Sequence, residues 1–203
     1  MHVKRLFLAV VIALLLPVAV FANSSVDFTN SGGTLSGNNS GLSLSNSTLT
    51  SVNGLSGGGL ITGNLGSIAF STGGLSSGSL AMGGTFAGGG SFTITGNGTN
   101  GIPNGVIFAG TFNGPVTWTL VTLSDGTHSY TLTGVLAGSL LGVPTNGVTV
   151  QLTVNTGTGF FNGSATLGSG DTNIQVVPEP NTLSLFASGM FGLAVMLRTR
   201  LRK

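Results

Sequence analysis

The sequence predicts an all-β protein, an antiparallel β-sandwich or β-roll, flanked by a signal peptide and a C-terminal transmembrane helix. Apolar residues alternate with polar ones at a period of two, which is typical of half-buried strands. Asn-Gly and Asp-Gly pairs, which supply the positive φ of tight turns, recur between the alternating stretches. No amphipathic helix of useful length occurs between residues 23 and 176.

The first 22 residues have the three-part layout of a secretory signal peptide. Lys4 and Arg5 make the amino end positive, and an apolar run follows over residues 6–20. Val20 and Ala22 then stand at the −3 and −1 positions of a cleavage site. We therefore expect passage through the bacterial export machinery, followed by signal-peptidase cleavage after Ala22. An uncleaved membrane anchor is the alternative interpretation.

The body, residues 23–176, is almost uncharged. Its acids are Asp27, Asp125 and Asp171, and no Lys or Arg lies between residues 23 and 180, although the whole chain has a formal net charge of +2. A surface that neutralises phosphates needs a basic patch, so nucleic acid is excluded as a partner. The chain has no cysteine, and therefore no disulfide stabilises it.

Alternation is clearest in the second half of the body. The alternating apolar residues are Phe92 and Ile94; Val116, Trp118 and Leu120; and Val148, Val150, Leu152 and Val154. The turn dipeptides of this region begin at Asn97, Asn100, Asn104, Asn113, Asp125, Asn146 and Asn162. Strands separated by such turns predict a sheet built from hairpins.

One hairpin is predicted over residues 115–136. If Asp125-Gly126 is a two-residue turn, Trp118 faces Thr133, and Tyr130 lies on the face opposite to that of Trp118. The apolar residues of each strand then change face partway along. A β-bulge, or a sheet covered on both faces, would account for that change.

The first half of the body is richer in glycine and less regular. Gly-Gly followed shortly by Leu or Phe begins at Gly32, Gly58, Gly73, Gly83 and Gly89, without a fixed period. A solenoid normally shows a fixed period, which favours the sandwich or roll. A β-solenoid-like stack stays as the alternative architecture.

The body offers little for catalysis or metal binding. His128 lies three residues from Asp125 across a predicted turn, whereas the members of a catalytic triad are held by separate elements. The stretch over residues 168–173 contains the single acid Asp171, which is too few ligands for a calcium loop and predicts a plain turn. The Cys and His patterns of zinc sites are absent from the sequence. We expect no enzymatic activity, no cofactor and no metal.

Trp118 is the only tryptophan of the chain. It lies in an alternating strand, and we expect it in the core. The alternative is an exposed indole that stacks against a sugar, which would make the body a carbohydrate-binding module with a site near Trp118.

The C-terminal segment, residues 177–203, combines three features in order. A Pro178-Glu179-Pro180 motif comes first, and an uncharged apolar run follows over residues 183–197. The basic tail, residues 198–203, contains Arg198, Arg200, Arg202 and Lys203. As a helix the apolar run would measure about 23 Å, and snorkelling arginines can extend it towards a hydrocarbon core of about 30 Å. Positive charge beside a membrane span marks its cytoplasmic side. We therefore expect a transmembrane helix over residues 183–197 that stops export. A buried core helix is the alternative.

Together these features resemble the PEP-CTERM sorting signal of exported proteins in Gram-negative bacteria that possess an exosortase. The resemblance implies that an exosortase in the inner membrane recognises Pro178-Glu179-Pro180 and processes the chain near it. It also implies a transient inner-membrane intermediate, followed by a setting at the cell surface or in the extracellular matrix of a biofilm. We therefore expect a structural or adhesive matrix protein, whose low charge permits association with like chains or with exopolysaccharide.

Overall fold

The computed structural model describes residues 24–176, and in this range the all-β prediction is confirmed. The strands are β1 (Ser24–Ser31), β2 (Thr34–Asn38), β3 (Gly41–Asn53), β4 (Ile61–Ser71), β5 (Leu75–Ser79), β6 (Gly83–Phe86), β7 (Gly89–Asn97), β8 (Asn104–Phe112), β9 (Val116–Thr122), β10 (His128–Leu140), β11 (Val143–Gly157) and β12 (Ser164–Val176). A single 3₁₀ turn, Leu55–Gly57, is the helical element in this part of the chain.

Several predicted segments lie outside the described residues. These are the signal peptide with its cleavage site at Ala22, the Pro178-Glu179-Pro180 motif, the transmembrane helix over residues 183–197 and the basic tail. Between residues 24 and 176 the structure contains no helix with the length and apolar character that a membrane crossing requires.

The strands form one antiparallel sheet that closes into an eight-stranded ring. β1 and β2 act as one strand, interrupted at Gly32-Gly33, that pairs with β3 on one side and β12 on the other. From β3 the order continues through β4, β7, β8, β10 and β11, and β11 pairs with β12 to close the ring. A sandwich of two sheets is not observed in this range, and neither is a solenoid-like stack.

A side extension of the sheet departs from β10. Residues 136–140 of β10 pair with β8, whereas residues 128–133 pair with β9. β6 then pairs with β9, and β5 pairs with β6. The sheet therefore forks near Gly134, where β10 exchanges one neighbour for another.

The interior of the ring is an apolar core rich in phenylalanine. The rings of Phe70 and Phe92 stack with centroids 6.0 Å apart, and Phe112 meets both edge-on at 5.8 and 6.2 Å. Beside them Gly110 and Gly138 face each other across β8 and β10, and a Cβ on Gly138 would lie 2.2 Å from the carbonyl oxygen of Ala109. Glycine at this pair therefore permits the close approach of the two strands.

Neighbouring strands of the ring run in opposite directions, so their connections divide between two ends. The terminal end comprises the start of β1 at Ser24, the end of β12 at Val176, and the connections over residues 54–60, 98–103 and 141–142. The opposite end carries the β5–β6 excursion over residues 72–88 and the connection over residues 158–163.

The hairpin predicted around Asp125-Gly126 forms, with its register shifted by one residue. The amide of Gly126 donates to the carbonyl of Leu123 at 2.9 Å, and the amide of Leu123 donates to the carbonyl of Thr127 at 2.8 Å. The loop therefore contains three residues, with Gly126 at φ 82° in the left-handed position. The two-residue turn was the wrong prediction.

This shift changes which side chains share a face. Trp118 faces Leu132, and Tyr130 faces Leu120, so Trp118 and Tyr130 lie on the same face and not on opposite faces as predicted. A register shift of one residue moves every side chain to the other side of the sheet. The buried apolar residues of the two strands share one face, and they include Trp118, Tyr130 and Leu132. Val121 and Val135 lie on the other face and are exposed, so the predicted change of apolar face corresponds to exposed aliphatic side chains and not to a second core.

Two predicted turn dipeptides lie inside strands. Asn146-Gly147 belongs to β11, where Gly147 at φ 72° shifts the register opposite Leu136 and Ala137 as a bulge. Asn104-Gly105 begins β8. The turn that joins β10 to β11 is Leu141-Gly142, which the dipeptide pattern did not indicate.

Candidate functional site

Trp118, the candidate sugar contact, lies in the core. It is 1 % exposed, and its indole Nε1–H donates to the carbonyl of Leu80 at 2.9 Å. Its ring stacks on Tyr130, with centroids 4.9 Å apart, and meets Phe161 edge-on at 5.3 Å. Protein atoms cover the indole, so Trp118 presents no face to a sugar in this structure.

The hydroxyl of Tyr130 connects two loops at the opposite end. It donates to the carbonyl of Ala81 at 2.6 Å and accepts from the amide of Phe161 at 3.0 Å. The aromatic cluster of Trp118, Tyr130 and Phe161 therefore holds the β5–β6 connection and the β11–β12 connection against β10. Its role in the fold is closure of this end of the ring.

His128 and Asp125 have separate hydrogen-bond partners. His128 is 8 % exposed; its Nδ1 lies 3.1 Å from the hydroxyl of Thr122, and its ring stacks on Phe160 at 4.3 Å. The Asp125 carboxylate accepts from both the hydroxyl and the amide of Thr127, at 2.7 and 2.9 Å. These two bonds, the hydroxyl first, hold the pKa of Asp125 below its usual value. His128 therefore contributes to the pairing of β9 with β10, and Asp125 stabilises the tip of the same hairpin.

Asp171 lies in β12 and not in the turn that the sequence predicted. Residues 149–154 of β11 pair with residues 167–173 of β12, so the Gly-rich stretch is extended. Within the described range, 24–176, no three residues of the types His, Cys, Asp and Glu lie close enough together to hold a metal ion.

An open groove of about 550 Å³ lies on the outer face of the sheet, beside the fork in β10. Its polar lining consists of hydroxyl, amide and carboxylate side chains: Thr117, Thr133, Thr149, Gln151, Asp171 and Asn173. Because these residues come from β9, β10, β11 and β12, only long-range strand pairing brings them together. No contiguous motif could have indicated this groove from the sequence.

Contacts with β1 hold two side chains of the groove in place. Asp171 accepts a hydrogen bond from the hydroxyl of Thr29 at 3.0 Å, and the side-chain amide of Asn173 donates to the carboxylate of Asp27. The part of the chain that the structure describes contains no Lys or Arg. The groove therefore presents hydroxyl, amide and carboxylate groups that can form hydrogen bonds, and none of its lining residues is basic.

Residues 176–203 match the family model of the PEP-CTERM protein-sorting motif. The chain carries a PEP-CTERM sorting motif. The match confirms the resemblance seen in Pro178-Glu179-Pro180, the apolar run and the basic tail. A PEP-CTERM motif implies export, a membrane-anchored sorting intermediate and processing by an exosortase.

The match covers the sorting segment and not the closed sheet that precedes it in this chain. No curated protein and no solved structure matches the chain. The role of the sheet domain therefore has to be inferred from its own residues.

Proposed function

We propose that this PEP-CTERM protein is a structural or adhesive component of the cell surface or the exopolysaccharide matrix of a Gram-negative bacterium. The PEP-CTERM match at residues 176–203 is the observation that carries the proposal, because it supplies the route of export and sorting. The signal peptide cleaved after Ala22 begins this route. Exosortase processing near Pro178-Glu179-Pro180 then separates the domain from the membrane-spanning run and the basic tail.

The surface chemistry of the sheet domain supports a role in association. Over residues 24–176 the charged side chains are Asp27, Asp125 and Asp171, so repulsion between copies is weak. Threonine, serine and asparagine supply most of the exposed polar side chains in the described residues. Because the ring is closed, most strand edges are already paired, and we propose that association uses these side chains and not strand addition.

We also propose that the domain is not an enzyme and needs no cofactor. This proposal is supported by the hydrogen bonds of His128 with Thr122 and of Asp125 with Thr127, which engage the two groups in hairpin structure. Catalysis by a triad requires the histidine and the acid to face one another.

Substitution of Glu179 tests the sorting route. We expect Glu179→Ala to accumulate in the inner membrane, because the acidic side chain between the two prolines is the motif's only charge. The measurement is cell fractionation followed by immunoblotting of the inner-membrane and extracellular fractions. Asn181→Ala, just outside the motif, is the control and should be released normally. Normal release of the Glu179→Ala protein would contradict the proposal.

A carbohydrate-binding module is the second candidate function, and the outer groove is the observation that favours it. The sequence predicted such a site near Trp118, which is buried. We propose instead a site on the opposite face of β9, where the neighbouring Thr117 lines the groove. We expect Gln151→Ala with Thr149→Ala to weaken cosedimentation with purified exopolysaccharide. Thr119→Ala, an exposed position of β9 outside the groove, is the control. Equal binding by the groove variant and the control would exclude this function for the groove.

A further inference from the structure

Exposed aliphatic side chains occur at the terminal end of the ring. Leu60 is 67 % exposed beside the start of β4, and Val106 is 59 % exposed near the start of β8. Leu141 and Val143, at the turn from β10 to β11, are 44 % and 57 % exposed. Single exposed aliphatics are ordinary, and the opposite end also exposes Met82 and Phe160. What distinguishes these four is that they share the end from which both described chain ends emerge.

The conformation of Leu141 is unusual. Its φ is 49°, and Gly142 follows at φ 83°, between the paired residues Leu140 and Val143. A left-handed backbone is unfavourable for leucine, whereas asparagine and glycine adopt it readily. The same end contains that favourable sequence at Asn100-Gly101, with φ 53° and 82°. Neither turn geometry nor burial accounts for leucine at position 141.

The position of Val176 relates this end to the membrane. Six residues, 177–182, separate Val176 from the apolar run that begins at Leu183. Even a fully extended chain of that length spans at most roughly 25 Å. With the apolar run in the membrane of the sorting intermediate, Val176 therefore remains within that distance of the lipid.

The terminal end carries little that would oppose contact with lipid. Its connections over residues 54–60, 98–103 and 141–142 contain no charged residue. The acid nearest to the described amino end is Asp27, and its carboxylate accepts a hydrogen bond from Asn173. Burial of the aliphatic side chains at the lipid surface would thus not require desolvation of an unpaired charge.

We propose that the terminal end rests on the lipid surface of the inner membrane in the sorting intermediate. Leu60, Val106, Leu141 and Val143 then enter the boundary between the headgroups and the acyl chains. The inference rests on the membrane-anchored intermediate of the proposed function. A few aliphatic side chains bind lipid weakly by themselves, but the short tether gives them a high effective concentration. Processing at the sorting motif removes the tether, and the domain then leaves the surface.

The test uses the full chain, which has no cysteine, reconstituted in vesicles of phosphatidylethanolamine and phosphatidylglycerol. An environment-sensitive fluorophore is attached to L60C or V143C at the terminal end. M82C is the control, because Met82 is 65 % exposed at the opposite end. We expect lipid-borne nitroxide to quench the probes at positions 60 and 143 much more than the probe at position 82. Aqueous iodide should show the reverse order.

Leu141→Asn separates lipid contact from a structural role. Asparagine suits the left-handed position, so we expect a higher midpoint of thermal unfolding. Loss of the aliphatic side chain should lower the nitroxide quenching of the probe at position 60 by a factor of about two. Met82→Asn should leave that quenching unchanged. If Leu141 has only a structural role, Leu141→Asn will change the midpoint of thermal unfolding but not the nitroxide quenching of the probe at position 60.

Four results would overturn the inference. Equal nitroxide quenching at positions 60 and 82 would show that no end is preferred. Protection of positions 60 and 143 from both quenchers would show that a second copy, or the chain's own C-terminal segment, covers this end. Failure of the full chain to float with the vesicles would contradict the anchored intermediate itself, and with it the proposed function. A chain that floats without quenching at positions 60 and 143 would contradict the lipid contact alone.

Discussion

The rings of Trp118 and Tyr130 stack with their centroids 4.9 Å apart and their planes inclined by 14°. They are diagonal neighbours on β9 and β10, since Trp118 faces Leu132 directly. Their polar atoms bond to consecutive carbonyls, those of Leu80 and Ala81. The stacked pair therefore fastens the β5–β6 connection to the sheet.

Removal of the Tyr130 hydroxyl should destabilise the domain. Tyr130→Phe leaves the stacked ring in place, but the carbonyl of Ala81 and the amide of Phe161 each lose a partner. We expect a loss of about 1–3 kcal/mol in the free energy of unfolding, measured by urea denaturation. Val121→Ala, on the exposed face of β9, should change it by less than about 0.5 kcal/mol. Equal stability of the two variants would refute the bridging role.

The fluorescence of Trp118 should not change when a ligand is added. Because it is the only tryptophan and is 1 % exposed, its fluorescence should be weakly quenched by acrylamide in the folded chain and strongly quenched in urea. Addition of purified exopolysaccharide should leave its emission unchanged, even if the outer groove binds. A shift of the emission on addition would place the indole at a binding surface.

The glycine pair of β8 and β10 should tolerate no side chain. In Gly138→Ala the new Cβ would lie 2.2 Å from the carbonyl oxygen of Ala109 and 2.6 Å from the Cα of Gly110. We expect a destabilisation of about 1–3 kcal/mol, seen as a lower midpoint of thermal unfolding. Gly59→Ala is the matched control, because no atom lies within 4 Å of its new Cβ. If both variants unfold at the same temperature, the strands are not in the close contact described.

The carboxyl of Asp125 should titrate below its usual pKa of about 3.8. Because this pKa is lower in the folded state than in the unfolded state, the ionised carboxylate stabilises the hairpin at pH values above the unfolded pKa. This contribution is lost as the pH falls through the folded pKa. Thr127→Val removes the hydroxyl donor and should raise the pKa of Asp125, as followed by NMR titration. Thr119→Val should leave it unchanged. An unaltered titration in Thr127→Val would assign the shift to another cause.

Local patterns predicted the strands better than their arrangement. Alternation correctly indicated β7, β9 and β11, because each depends on side chains two residues apart. Closure of the ring depends on pairing of residues 164–166 with residues 34–36, and no local pattern encodes a contact between segments so distant. Loop length caused the error at Asp125-Gly126, since one additional loop residue reversed the predicted faces of Trp118 and Tyr130.

The candidate sites also differ in how far the sequence could predict them. The sorting motif is contiguous, so its order of Pro-Glu-Pro, apolar run and basic tail could be recognised directly. The outer groove draws Thr133, Gln151 and Asp171 from three strands and requires the registers of the sheet. Leu141-Gly142 was missed for a third reason: leucine is a poor residue for the conformation that it adopts there.

The position of β12 at the end of the domain determines when the ring can close during export. β12 completes the ladder by bonding both β11 and the joined β1 and β2, and it ends where the PEP-CTERM match begins. During vectorial translocation this strand emerges after all the others. The ring can therefore close only once residues 164–176 have emerged, directly before the sorting motif that follows them in the chain.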